Sequence, residues 1–366
     1  MRAYLRLSMD YTNKQIAFAR DKSTQLSSLT LLEDRTSHTT PNSPKKINKT
    51  IEIVSLPSLL MSSTVPLNIG IDIDEQLICS ILSRAYQQVS ITVINEQIDL
   101  DILAARRPDL VFSGVKYFNF ENRKLWLNDY LDQHGIAYVA SNKAALDGEF
   151  DKGNAKILIK KAGLATADYF TTEPDEHLTE ASIPIAFPLF VKPVASGDSK
   201  GIDAKSIVNN FADFKSKVAD IWDKQNSRSL VETYLSGREY SVGIFEDSSS
   251  GKLTAMPIEI IAPKNKNGQR ILDFDIKRFD NEKVIAVKNA TIREQLSELA
   301  KSAFVALNGK AFGRIDIKLD HRRILHFVEA NLMPGLRTGY FYRSCHINLG
   351  LTYEQMILRI AKNGLA

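Results

Sequence analysis

Cysteine is scarce in this sequence: Cys79 and Cys345 are the two it holds in 366 residues. A disulfide framework is therefore excluded, and a reducing compartment, the cytoplasm, is expected. No apolar run reaches the ~18 residues that a membrane-spanning helix needs, so no span is expected. The opening stretch M-R-A-Y-L-R-L-S-M-D lacks the apolar core of a signal peptide, and no leader is expected either. Blocks of like charge are also missing. Lys and Arg number 47 against 43 Asp and Glu, and the net charge of +4 is spread along the chain. Neither nucleic acid nor a membrane surface is then an expected partner, and any local cluster of lysines reads as a small anion site.

What is present is the composition of a globular protein, 44% apolar and 25% charged, in a length that suits two or three domains. Residues 1–65 read as an N-terminal extension, partly disordered: T-S-H-T-T-P-N-S-P-K-K-I-N-K-T, Thr36 to Thr50, has nothing to build a core with. Short apolar pieces at Ser28 to Leu32 and Thr50 to Leu56 have the character of strands. From Pro66 the pattern alternates. Leu67 to Ile73 reads as a strand, and Asp74 can cap a helix whose apolar stripe is Leu77, Ile78, Ile81, Leu82, Ala85 and Tyr86. Further strands follow at Ser90 to Ile94, Asp109 to Ser113 and Ile136 to Ala140, with helices at Leu100 to Arg106 and Lys124 to Gln133. Strands alternating with helices predict a parallel sheet, so 66–145 is expected to be a small α/β domain.

The stretch with the densest chemistry is G-R-I-D-I-K-L-D-H-R-R-I-L-H-F-V-E-A-N-L-M-P-G, Gly313 to Gly335. Period-two alternation puts Ile315, Ile317 and Leu319 on one face of a strand and Arg314, Asp316 and Lys318 on the other. Asp320 to Arg323 reads as a polar turn and Ile324 to Asn331 as the returning strand. A turn closed by Asp320 and Arg323 sets residue 314 opposite 329. Asp316, Glu329 and Asn331 then supply hard oxygen ligands on one side of a hairpin, the kind of shell magnesium takes. A solvated outer face would carry the same residue types, and this pattern alone leaves both readings open.

Three earlier stretches complete the set. Asp147 to Gly163 reads as one helix with Lys152 near its start. P-L-F-V-K-P-V-A-S-G-D-S-K-G delivers Lys192 on a strand into a loop with Gly197 and Gly201, where backbone N–H groups and a point charge can surround an anion. Ala204 to Val208 is the next strand, and L-V-E-T-Y-L-S-G-R-E-Y-S-V-G-I, Leu230 to Ile244, reads as strand, turn and strand. Helices are expected at Thr291 to Leu307 and Thr352 to Ala361.

G-R-I-D followed by V-E-A-N-L-M-P-G resembles the C-terminal metal hairpin of the ATP-grasp superfamily, most closely that of the D-alanine:D-alanine ligases. The resemblance covers about Tyr138 to the end. It implies an ATP-grasp fold of mixed α/β and α+β class: an N-terminal parallel-sheet domain, then two α+β subdomains, 146–235 and 236–366, enclosing ATP. It implies an ATP-dependent carboxylate-amine ligase that forms an amide through an acyl phosphate, acting on an amino acid or small peptide. The roles it carries over are phosphate contacts for Lys152, Lys192, Ser199 and Lys277, and adenine contacts for Glu232 with the backbone at Tyr234 and Leu235. Glu239 falls to the ribose hydroxyls, magnesium (or manganese) to Asp316, Glu329 and Asn331, and the tetrahedral oxyanion to Arg314. Homodimerisation is implied by kinship alone.

The departures concern the amino-acid substrate. The family's H-G-x-x-G-E-D-G type loop is replaced by F-S-G-V-K-Y-F-N-F-E-N. Asp198 stands at the first of the paired serines, Arg278 at the tyrosine after Lys277, and Tyr340 at a serine of the substrate loop. Arg278, Arg337 and Arg343 are candidates for a substrate carboxylate, since guanidinium matches it at two points. An authentic D-alanine:D-alanine ligase with a divergent first domain and a non-catalytic ATP-binding module are the alternatives.

Overall fold

Ile47–Ser55 (β1) is the strand on which the first sheet is built. A computed structural model describes residues 45–57, 69–121, 123–194 and 199–366. β1 lies between β2 (Tyr86–Val93) and β3 (Leu110–Ser113), parallel to both. Its Ile51, Ile53 and Val54 are fully buried, which is why so short an apolar piece suffices. Part of the segment expected to be an extension is thus the middle of a sheet. The strand expected at Leu67 to Ile73 is, over its described residues, a single antiparallel bridge from Gly70 to Val115. Its apolar side chains serve packing instead: Ile69 and Ile73 are buried, and Gly70 passes so near Gly114 that a Cβ there would lie 2.4 Å from the Gly114 carbonyl oxygen.

α1 (Glu75–Ala85) is capped by Asp74, whose carboxylate accepts from the Leu77 amide, and buries Ile78, Ile81 and Leu82. α2 (Gln97–Arg106) joins β2 to β3. The helix expected from Lys124 begins later. Arg123–Trp126 (β5) is consumed in a hairpin with Tyr117–Phe120 (β4), and α3 (Leu127–Gln133) follows. Of the strand expected at Ile136 to Ala140 there remains a parallel bridge between Tyr138 and Val111. The single helix expected over 147–163 is two, α4 (Lys143–Phe150) and α5 (Lys152–Lys161). The break falls at Asp151, which leaves helical geometry and caps α5 by accepting from the Asn154 amide.

The second sheet is antiparallel, in the order β6 (Tyr169–Thr172), β9 (Ser229–Thr233), β7 (Leu189–Pro193), β8 (Ile207–Val208). α6 (Phe211–Gln225) covers it, setting Phe214, Val218 and Ile221 against Leu189, Val191 and Val231. Residues 204–206 of the expected strand Ala204 to Val208 form a 3-10 turn, because Asp203 and Ser206 cap each other there.

The third sheet has β10 (Glu239–Glu246), β11 (Leu253–Ile261), β12 (Lys283–Ala286), β13 (Phe312–Leu319) and β14 (Leu325–Asn331), in the order β12-β11-β10-β13-β14. α7 (Phe274–Phe279) lies between β11 and β12, α8 (Ala290–Ala306) precedes β13, and α9 (Tyr340–Leu349) and α10 (Tyr353–Gly364) end the chain. Ile315, Ile317 and Phe327 face the core with Leu296, Ala300 and Phe304 of α8. Glu149 of α4 ties the first sheet's surroundings to the end of β14: it accepts from the Lys116 ammonium at 2.5 Å and from the Leu332 amide.

Candidate functional site

The hairpin β13–β14 is antiparallel, and its register differs from the expected one. Asp316 faces Glu329 and Arg314 faces Asn331, whereas Ile317 faces Phe327. Val328 is the residue left over, a bulge between those two stretches. Were Val328 regularly paired, Phe327 and Glu329 would share a face by strict alternation. With the bulge, Phe327 goes into the core while Glu329 and Asn331 join Asp316 on the opposite side.

Above this hairpin is a cleft lined from the second sheet by Phe190, Lys192 and Glu232, from the residue just past β9 by Tyr234, and from the third sheet by Glu239, Asp316, Lys318 and Glu329. Ser199, Leu235 and Lys277 also line it. Most of the residues assigned from sequence to nucleotide and metal are therefore in one place.

Charge is concentrated around Glu329. Burial alone would raise its pKa, but Lys277, Lys152, Lys192 and Arg314 surround it and hold it below the ordinary carboxylate range. Burial pushes the Lys152 ammonium down to about 8, against the attraction of Glu329. Lys192 stays above its ordinary value because Glu232 and Glu329 outweigh its own burial. Such a convergence of cations suits a group with several negative oxygens.

Arg314 is a part of this cluster and is held by its neighbour. Its Nε donates to Asp316 Oδ1 at 3.0 Å and its Nη2 to Asp316 Oδ2 at 2.9 Å, while the Ser241 hydroxyl donates to Asp316 Oδ1 at 2.6 Å. The Asn331 amide nitrogen is buried without a hydrogen-bond partner. Among the described residues no three His, Cys, Asp or Glu side chains converge on one point, so any cation here would be held by two carboxylates and an amide. That donor set consists of hard oxygens, and it fits magnesium or manganese, leaving room for water and phosphate oxygens.

Glu232 is doubly paired, with Lys156 at 2.5 Å and Lys192 at 2.6 Å. The Tyr234 N–H donates to the Pro188 carbonyl at 3.1 Å, and Tyr234 and Leu235 both line the cleft. Glu239 lines the cleft and pairs with Lys318 at 2.9 Å, its direct partner across β10 and β13. Ser199 adopts a left-handed φ of 58° and donates to the Leu272 carbonyl at 3.0 Å.

Among the described residues expected to meet substrate, Arg278, Arg337 and Arg343 do not line the cleft, and Tyr340 lies beside its cationic cluster. Asp198 lies outside the described residues. Arg278 is exposed, its guanidinium over the Phe279 ring. Arg337 is exposed and paired with Asp72 at 2.6 Å. Arg343 pairs with Asp280 and lies 3.7 Å from Glu282. Tyr340 is buried with its hydroxyl donating to Glu282 at 2.7 Å, and its ring is flanked by Arg314 at 5.4 Å and by Lys277 and Arg343 at 6.0 Å. It therefore packs the cationic cluster rather than offering a hydroxyl to a ligand. Two charged residues not singled out from sequence belong to the site: Lys318, whose alternation with Asp316 already set it on this face, and Lys156, four positions after Lys152 on α5.

A family model described as D-ala D-ala ligase C-terminus matches residues 158–362. The D-alanine--D-alanine ligase A of Mesorhizobium japonicum is 30% identical over 243 residues, a match spanning 65% of this chain and 66% of the relative, just under two thirds of its length. Among solved structures, the D-alanine--D-alanine ligase of Bacillus anthracis complexed with ATP superposes with a TM-score of 0.61 at 20% identity, covering 87% of this chain and 97% of that one. The VanG D-Ala:D-Ser ligase of Enterococcus faecalis does so with a TM-score of 0.60 at 18% identity, over 87% and 100%. The fold is thus the ATP-grasp fold of these ligases, mixed α/β and α+β as expected.

Proposed function

This chain belongs to the family defined by the D-ala D-ala ligase C-terminus, and from that premise we propose that it is an ATP-dependent carboxylate-amine ligase joining D-alanine or a similar small amino acid to a second amino acid. The observation that carries the reading is the gathering of Lys152, Lys192, Lys277 and Arg314 around Glu329, beside Asp316, at the floor of a cleft walled by both antiparallel sheets. The sheets belong to segments 146–235 and 236–366, and ATP would lie between them. A cytoplasmic setting agrees with the use of ATP.

In the reaction proposed, a carboxylate oxygen of the first substrate attacks the γ-phosphorus. The new O–P bond forms as the bond to ADP breaks, and the resulting acyl phosphate is attacked by the amine of the second substrate. The C–N bond forms, phosphate leaves, and the ammonium proton goes to solvent. Carboxylate is a poor electrophile, which is why the phosphoryl group is needed. Lys152, Lys192 and Lys277 bind and align the phosphates, with Ser199 on the loop above them, and the protein's contribution is chiefly placement and charge neutralisation. Asp316, Glu329 and Asn331 would hold magnesium, which supplies further charge neutralisation at the phosphate oxygens. Arg314, mostly buried and held at two points by Asp316, favours the oxygen that gains negative charge in the tetrahedral transition state. Glu232 and the Leu235 backbone face the adenine edge, and Glu239 the ribose.

A second reading concerns the amino acids. The buried Tyr340, its hydroxyl committed to Glu282, and the outward Arg278 favour a second substrate other than D-alanine. The deciding experiment is phosphate release from ATP with magnesium across D- and L-amino acids, singly and in pairs. D-alanine alone sufficing supports an authentic D-alanine:D-alanine ligase. A required pair names another acceptor, and release that no amino acid stimulates rejects the ligase reading.

A further inference from the structure

Lys156 sits one helical turn beyond Lys152 on α5 and is wholly buried. Its ammonium donates to the Thr166 hydroxyl at 2.5 Å, contacts Glu232 Oε1 at 2.5 Å and lies 5.3 Å from the Tyr169 ring centre. Thr166 in turn donates to the Phe327 carbonyl at 2.9 Å, so its lone pairs are what Lys156 meets. Lys192 takes the other Glu232 oxygen, at 2.6 Å. Lys192 and Glu232 line the cleft, and Lys156 does not. The carboxylate therefore has one cationic partner inside the cleft and one behind its wall. An ammonium drawn to a polyphosphate weakens its hold on Glu232, and a buried carboxylate stripped of its only cation is strongly destabilised. The rear partner removes this conflict.

We infer that Lys156 is a positioning residue that keeps Glu232 ionised and oriented as a pure hydrogen-bond acceptor while Lys192 serves the phosphates, so that the cleft prefers a nucleobase presenting an amino group at this edge over one presenting a carbonyl. The inference rests on the reading that the cleft binds a nucleoside triphosphate with its base against Glu232. An ionised carboxylate can only accept. The adenine amino group satisfies it, whereas the hypoxanthine carbonyl would meet it lone pair to lone pair. Burial works against the ionised form of Glu232, yet Lys156 and Lys192 hold its pKa down at about 2, so the acceptor state persists through the working pH range.

The test is calorimetric binding of ATP and inosine triphosphate, each with magnesium, to the full chain at pH 6 and pH 8, for the native protein and Lys156→Met. One correct hydrogen bond to a charged group against one mismatch predicts that the native protein prefers ATP by about tenfold or more, equally at both pH values. In Lys156→Met that ratio falls to about twofold or less. Thr166→Val, which removes the group orienting the ammonium, lowers the ratio part of the way and stands in if Lys156→Met does not fold. A purely structural lysine would alter the unfolding midpoint and leave the ratio intact. A native ratio near one, or a folded variant that keeps the native ratio, overturns the inference while leaving ATP binding in place. Binding of neither nucleotide overturns the ligase reading and this inference together.

Discussion

Arg314 and Asp316, two positions apart on the same face of β13, hold each other at both ends, with donor–acceptor distances of 3.0 and 2.9 Å. Both carboxylate oxygens that a cation would use are thereby in contact with a guanidinium, and Arg314 stands where positive charge is wanted. Arg314→Met makes the site more negative. Manganese alone, followed by electron paramagnetic resonance, should bind this variant more tightly than the native protein. Turnover should nevertheless fall by about a hundredfold or more, as when an oxyanion-stabilising donor is lost. Weaker manganese binding would show that the guanidinium organises the carboxylate for the metal instead of competing with it.

Glu329→Gln removes the carboxylate facing Asp316 and keeps the shape of the side chain. Ligand-stimulated phosphate release should disappear, and the circular dichroism spectrum should stay native. Activity within a few-fold of native would remove the metal assignment, because the remaining oxygens would then suffice.

Lys152 sets an alkaline limit. Its ammonium titrates at about 8, depressed from 10.5 chiefly by burial. Phosphate oxygens brought beside it favour the charged form and raise that value. Below pH 8 the group is protonated before and after binding, so affinity for ATP should be flat there. Above pH 8 binding takes up a proton, and affinity should fall by up to about tenfold per pH unit. Calorimetry in buffers of different ionisation enthalpy measures the proton uptake directly, and Lys152→Met should abolish both the uptake and the slope.

Gly201 ends the loop after Lys192 with φ of 76°, and a Cβ there would lie 2.7 Å from Pro193 Cγ and 2.1 Å from Gln225 Nε2. Gly201→Ala combines a left-handed backbone with that clash, so a loss of roughly 1–3 kcal/mol in unfolding free energy is expected. The KM for ATP should rise with it, because the loop carries Ser199 to the cleft wall. An unchanged KM would remove the loop from the phosphate site.

The face of β13 that carries chemistry could be read directly from sequence, since a strand's side-chain period is imposed by its backbone and Ile315, Ile317 and Leu319 alternate with charged residues without interruption. The lysines of the cleft were legible through resemblance. Lys156, behind the cleft wall, was not: beside Lys160 and Lys161 it reads as part of a solvated helix face, and it is Glu232, from β9, that draws it inside. The strand character of β1 was legible at Thr50 to Leu56, but its place inside the first sheet was not. Its partners β2 and β3 come later in the chain, and the threonine- and lysine-rich stretch before it carries no trace of them. The bulge left no mark either, because Val328 is as ordinary a strand residue as its neighbours. The substrate assignments of Arg278 and Arg337 came from position in a motif, and both side chains turn outward.

Val328 sets a rule for how this protein can change. Most replacements along β14 alter one side chain and leave the others where they are. Losing Val328 would turn the bulge into regular pairing and still leave Glu329 opposite Asp316, whereas gaining a residue there would turn Glu329 toward the oily interior and leave the cleft without an acid. Deletion of Val328 should therefore leave a folded chain that still releases phosphate, while insertion of one residue beside it should yield a folded, inactive chain or none.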